Sequence, residues 1–271
     1  MRAFLGGVSV FGPGLAGWAA SRPILAGLQP WAMAEALPPA PAILSPGDRR
    51  RAGATVRFAL AAAAEATEAE PDRAAFETVF ASGNGDGAVI GGILDALHDP
   101  EGVVSPTLFH NSVHNAAAGY WHIAVGSTMP SVSLGGHDGA FAAGLLAAMG
   151  AVATRGRPVL LCAYDTPMTA PLSGVRATAF PFAFAGLLRP AAEGAQAMLD
   201  LRYVAAPMPA ADAPAADAPD AGHGAALDAL SAGNPAARAL PLLRALAARR
   251  GACIHLPLPP DSHLELHVTP C

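Results

Sequence analysis

Lysine is absent from this 271-residue sequence, in which all 16 basic residues are arginine. A GxxxxGK[ST] phosphate loop is therefore excluded, and no GxGxxG motif stands in for it. Charge of either sign is sparse, at 14% of residues, and the net charge of −5 leaves no basic footprint for DNA or RNA. Only three cysteines occur, Cys162, Cys253 and Cys271, odd in number and far apart. They exclude a CxxC zinc or redox motif and fit a reducing cytoplasm. No stretch has the apolar density of a membrane span.

What is present is apolar, at 52% of residues. Such a composition suits an α/β protein, or a subunit that hides surface against a partner. The opening MRAFLGGVSVFGPGLAGWAAS superficially resembles a secretory signal, with Arg2, an apolar run and small residues at Ala19 and Ala20. Gly6, Gly7, Gly12, Pro13 and Gly14 interrupt that run, and Val8-Ser9-Val10-Phe11 before Gly-Pro-Gly predicts a first strand entering a tight turn.

The alanine-dense stretch 52–69 predicts a helix, preceded by a turn at Arg49-Arg50-Arg51. Ala75 to Phe80 predicts a strand, Ser82 to Gly87 a glycine loop, and Ala88 to His98 a helix. Residues 129–134 predict another strand, turning sharply at Gly135-Gly136-His137-Asp138-Gly139 into a helix over 140–154. That helix is apolar nearly all round and is expected to be buried on every side. Pro158 to Tyr164 is apolar enough for a central strand. Strands are expected over 177–188, 196–205, 253–258 and 264–268, with an amphipathic helix at 235–250. Residues 207–224, rich in Pro, Ala and Asp, predict a mobile loop.

The order of four stretches resembles the N-terminal half of β-ketoacyl-acyl carrier protein synthases. More closely, it resembles the short ketosynthase-like chain length factors of aryl-polyene-type pathways. The stretches are VSVFG at 8–12, DRRRAGATVRFALAAAAEA at 48–66, ASGNGDGAVIGGILDAL at 81–97, and residues 105–148, beginning SPTLFHNSVHNAAAGYWHIAVG. The resemblance implies a thiolase-like layered α/β/α fold with the second half truncated. It divides the chain into a ketosynthase-like half over 1–185 and a shortened C-terminal part over 186–271. In a ketosynthase the turn after the strand equivalent to 129–134 carries the nucleophilic cysteine, whose thiolate a helix N-terminus favours. Here the turn holds His137 and Asp138 instead.

The resemblance thus implies a subunit without catalytic residues or cofactor. It would pair with an active ketosynthase and meet an acyl carrier protein during fatty acid, polyene or polyketide-type elongation. Ser131, Val132, Ser133 and Leu134 are its interface candidates, because the equivalent strand pairs across a two-fold axis. Phe109, Tyr120 and Trp121 are candidates to line an acyl tunnel, and Arg49, Arg50 and Arg51 to contact the acidic carrier protein.

The residues alone leave a second function open, a small metal- or serine-dependent acyl hydrolase. His110 and His114 are four apart, a zinc-pair spacing on a helix, with a third ligand from His122, His137 or Asp138. Ser133 is the nucleophile candidate, although GxSxG is missing around it. Asp138 is also expected as a helix cap, and Cys162 as a buried apolar residue.

Overall fold

The computed structural model describes residues 1–209 and 224–271. Its strands are β1 Arg2–Gly12, β2 Leu15–Ala16, β3 Glu77–Ala81, β4 Ser131–Leu134, β5 Val159–Asp165, β6 Phe182–Arg189, β7 Ala197–Val204, β8 Ala252–Leu258 and β9 Ser262–Pro270. Its helices are α1 Trp18–Leu25, α2 Pro46–Arg51, α3 Ala54–Ala66, α4 Gly87–His98, α5 Pro106–Asn111, α6 Ala116–Val125, α7 Ala140–Arg155, α8 Gly224–Gly233 and α9 Leu240–Ala248.

β5 reads VLLCAYD and is buried throughout, as its unbroken apolar run requires of a central strand. Strand alternation sends Val159, Leu161 and Ala163 to one face and Leu160, Cys162 and Tyr164 to the other. Both faces are covered. Phe58 and Leu60 of α3 and Trp121 of α6 pack on one side; Phe141, Leu145 and Met149 of α7, with Leu240 and Leu243 of α9, pack on the other. Among the described residues nine strands form one sheet in the order β4-β3-β5-β6-β1-β7-β9-β8, with β2 beside β1. The β4, β3 and β5 section is parallel and the remainder antiparallel. This is the layered thiolase-like α/β/α arrangement.

The signal-like N-terminus is a core strand. Ala3, Leu5, Val8 and Val10 of β1 are buried between β6 and β7. Gly6-Gly7 forms a bulge, since Leu5 pairs with Leu188 but Val8 with Gly186. A Cβ on Gly7 would lie 1.8 Å from the Ala66 carbonyl oxygen, so only glycine lets α3 approach the sheet there.

Other departures have equally local causes. The helix expected to be enclosed on every side, α7, buries one side fully. Ala143, Leu146, Ala147, Gly150 and Ala151 form a half-exposed stripe at spacings of three and four, and Ala153, Thr154 and Arg155 are exposed. Arg49, Arg50 and Arg51 end a short helix whose Ser45 cap accepts from the Asp48 N–H, rather than a turn. The helix expected from residue 235 opens as a 3-10 turn over Ala236–Ala239 before Leu240 begins the α-helical register, with Pro241 in its first turn. Helix α8 was not expected. Most of the predicted mobile loop at 207–224, namely residues 210–223, lies outside the described residues. β6 spans residues 185 and 186, so one sheet runs through both parts of the chain. Among the described residues no helix is long and apolar enough to cross a membrane.

Candidate functional site

β4 lies parallel to β3, from Thr78 beside Ser131 to Ala81 beside Leu134. Its register brings the Gly135–Gly139 turn to the carboxyl ends of β3 and β5, where open α/β sheets present their ligand sites. His137 stands at the turn with φ of 50°, in the left-handed region that few non-glycine residues occupy. The Ser82–Gly87 loop packs directly against it. A Cβ on Gly83 would meet the His137 carbonyl oxygen at 2.7 Å, and one on Gly139 would meet Pro259 at 3.0 Å.

The turn holds a polar network. Asp138 Oδ1 accepts from Arg176 Nη1 at 2.6 Å, with His137 Nδ1 at 3.7 Å and Arg238 Nη2 4.0 Å from the second oxygen. Burial pushes the Asp138 carboxyl upward, but the Arg176 hydrogen bond and charge, with His137 and Arg238, outweigh it and hold the group below its ordinary value. Arg176 Nε also donates to Asn84 Oδ1 at 2.7 Å, and Asn84 Nδ2 donates to Thr178 Oγ1 at 2.6 Å. Behind them Asp165, fully buried at the end of β5, accepts from Ser82 Oγ and the Gly83 and Asn84 N–H groups at 2.9, 3.1 and 2.9 Å. Burial dominates there and raises its pKa to about 6 despite these donors. Asn234, just after α8, donates to the carbonyls of Asp165 and Phe180.

Asp138 caps no helix. Arg176 claims its carboxylate, and α7 starts without a side-chain cap. The hydrolase constellation is not assembled either. The chain leaves helical geometry after Asn111, so His110 lies in the last turn of α5 while His114 sits in the connection to α6. His110 meets Tyr120 edge to face, 5.9 Å between centroids, and His122 Nε2 bonds Thr78 Oγ1. Ser133 Oγ is buried with no hydrogen-bond partner, so nothing activates it. Among the described residues, the one cluster of three possible metal ligands is Cys253, Glu265 and His267, far along the sheet on β8 and β9.

The tunnel candidates separate. Phe109 and Tyr120 line a groove of about 730 Å³ with Asp48, Arg51, Val113 and Ile123, whereas Trp121 is fully buried in the core. Its apolar residues Phe109, Val113 and Ile123 are 69%, 51% and 72% exposed, an unusual concentration on one surface. Of the interface candidates, Ser131 and Val132 are exposed and Ser133 and Leu134 half-buried. Arg49 and Arg50 border a shallow depression with Arg57, while Arg51 pairs with Asp48 at 2.6 Å. Cys162 is enclosed as expected, its thiol pKa driven up by burial.

Sequence reasoning did not find Asp165, Arg176 or Asn234. For Asp165 a signal existed, a single acid terminating an otherwise apolar strand. For Arg176 there was none, since its partners lie 38 and 92 positions away.

No curated protein sequence matches the chain. Solved structures do. A chain of the ketosynthase ApeO in complex with its chain length factor ApeC, from Xenorhabdus doucetiae, aligns with 99% of each chain covered, at 19% identity and a TM-score of 0.71. The ishigamide ketosynthase/chain length factor aligns over 100% of this chain and 99% of that one, at 16% identity and a TM-score of 0.68. A beta-ketoacyl synthase from Burkholderia phymatum STM815 aligns over 75% of this chain and 64% of its own, at 13% identity and a TM-score of 0.58. At these identities the likeness is one of fold. In sequence, residues 26–238 match the beta-ketoacyl synthase, N-terminal domain, and the chain belongs to that family.

Proposed function

We propose that this chain is a non-catalytic ketosynthase-like subunit of the chain length factor type, paired with an active β-ketoacyl-acyl carrier protein synthase. The observation that carries this proposal is the elbow. Acyl transfer through a ketosynthase needs a thiolate nucleophile there. This elbow offers an imidazole and a carboxylate already bound by Arg176, while Cys162 is sealed in the core. The partner therefore supplies the nucleophile and carries the acyl group.

The edge of the sheet suits that partner. β4 pairs only with β3 among the described residues, leaving one row of N–H and C=O groups for another strand. The small-residue stripe on α7 flanks the same edge, sharing a groove with Val132, Ala147, Gly150 and Ala151. Phe109 and Tyr120 would shape the far end of the partner's acyl tunnel. Arg49, Arg50 and Arg57 offer positive charge to an acidic carrier protein. No cofactor enters this scheme, and three unpaired cysteines fit a cytoplasmic setting.

Co-expression with an active β-ketoacyl-acyl carrier protein synthase, followed by size-exclusion chromatography, tests the pairing. Intact-protein mass spectrometry of the complex, given an acyl-loaded carrier protein, tests the division of labour. Acyl mass on the ketosynthase alone is expected; acyl mass on this chain overturns the proposal.

A further inference from the structure

At the far end of the sheet, β8 and β9 form an antiparallel ribbon whose two faces differ completely. Ile254, Leu256, Leu264, Leu266 and Val268 point into the core. The two-residue period then sends Cys253 and His255 of β8, and Glu265 and His267 of β9, to the opposite, outer face. Cys253 is paired directly with His267, and His255 with Glu265, so four metal-binding side chains occupy two adjacent cross-strand positions.

The donor atoms are close together. One ligand atom each from Cys253, Glu265 and His267 lie within 4.8 Å of one another. His267 Nε2 is 2.7 Å from Glu265 Oε1, and His255 Nε2 is 3.8 Å from Cys253 Sγ. Ligands on one tetrahedral zinc ion, with bonds of 2.0–2.3 Å, stand roughly 3.5 Å apart, so modest side-chain adjustment suffices. Arg202 of β7, opposite Glu265, holds the second carboxylate oxygen and so turns Oε1 toward His267. His255 faces Cys253 through Nε2, while its Nδ1 is buried without a hydrogen-bond partner, so no hydrogen bond fixes a tautomer against binding through Nε2.

We propose that this face is a zinc site, with Cys253, Glu265 and His267 as ligands and His255 as the fourth donor. A thiolate, imidazoles and one carboxylate are a donor set for zinc rather than for magnesium or calcium, which select oxygen. The ion would take the place of the proton between His267 and Glu265, and would clip β8, the outermost strand, to β9. The site is independent of the elbow and of any ketosynthase partner.

The test uses the full chain, stripped with a chelator and titrated with zinc chloride alone. One equivalent is expected to bind saturably, raising Tm by roughly 5–10 °C at free zinc about 100-fold above Kd. Cobalt(II) in place of zinc is expected to give a thiolate-to-metal charge-transfer band. Cys253→Ser removes that band, His267→Ala weakens binding at least tenfold, and Cys271→Ser leaves both unchanged. All three positions are exposed, and circular dichroism checks that the variants remain folded. Absence of one-to-one binding marks the cluster as an ordinary polar ladder and overturns the proposal. So does a thiolate band that survives in Cys253→Ser or disappears in Cys271→Ser.

Discussion

Asp165→Asn separates the electrostatic from the structural role of the acid behind the elbow. Wild-type Asp165 is fully buried, and burial raises its pKa from 3.8 to about 6. A carboxyl whose folded pKa lies above its unfolded value contributes stability that is fully present below pH 4 and is lost as pH rises toward 6. The rise of about 2 units corresponds to ~3 kcal/mol. Asparagine cannot ionise, so this loss vanishes. It retains one oxygen for Ser82 Oγ and the Asn84 N–H, but turns an NH2 toward the Gly83 N–H, a pH-independent penalty of about 1–3 kcal/mol. Urea unfolding followed by circular dichroism at pH 4, 5, 6 and 7 yields both terms. Wild-type stability minus variant stability should fall by about 2.5 kcal/mol from pH 4 to 7, most of it before pH 6.5. A difference that stays constant, or that grows with pH, refutes the reasoning. The latter would mean that the three donors outweigh desolvation.

Three further perturbations address other levels of the structure. Ser133→Pro removes an N–H donor from the outward row of β4, whose even-numbered residues bond β3, and should abolish co-purification with the ketosynthase, while unchanged co-purification removes β4 from the interface. Gly7→Ala forces a Cβ against the Ala66 carbonyl and should lower Tm by roughly 4–10 °C in a thermal scan, in line with other overpacked cores; an unchanged Tm shows that the bulge yields freely. Replacing Arg49, Arg50 and Arg57 together by alanine should weaken carrier-protein binding in a surface-resonance assay at low salt, with the difference shrinking as ionic strength rises. A difference insensitive to salt assigns the loss to something other than charge.

Regular structure was legible wherever the pattern was local. The alanine run gave α3, the apolar run gave β5, and the glycine punctuation gave the turns around β3 and α4. Helix α7 shows where this stops. Its sequence is apolar on all sides, yet Ala143, Leu146, Ala147, Gly150 and Ala151 remain half-exposed. Periodicity reports which residues tolerate burial, not whether a neighbouring layer covers them. The same gap explains α8, whose Leu227 and Leu230 are buried but whose alanines and glycines blur the amphipathic signal. The absence of cysteine from the turn after β4 was legible at one position. The network at that turn was not, because Asn84, Asp138, Asp165 and Arg176 converge only after β3, β4 and β5 align.

On the proposed function, that network explains how the elbow can be kept without carrying chemistry. A catalytic turn keeps polar groups unsatisfied so that they can act on a substrate, and it tolerates backbone strain to aim them. Here His137 has a left-handed conformation, and Asp138, Arg176, Asn84 and Thr178 bond one another, while Arg176 Nη2 is buried without a partner. The Gly139 N–H donates to the Gly136 carbonyl and the Ala140 N–H to the His137 carbonyl, so the first backbone donor of α7 is occupied. Arg176 binds the one carboxylate that could have answered the helix dipole. What the turn still does is geometric. It fixes the angle between β4 and α7, and therefore the relative position of the open strand edge and the small-residue stripe. Those two surfaces lie side by side along one groove and are the surfaces a pairing subunit would use. On the proposed function, the elbow serves assembly through its shape, with its carboxylate held by Arg176 from outside the turn.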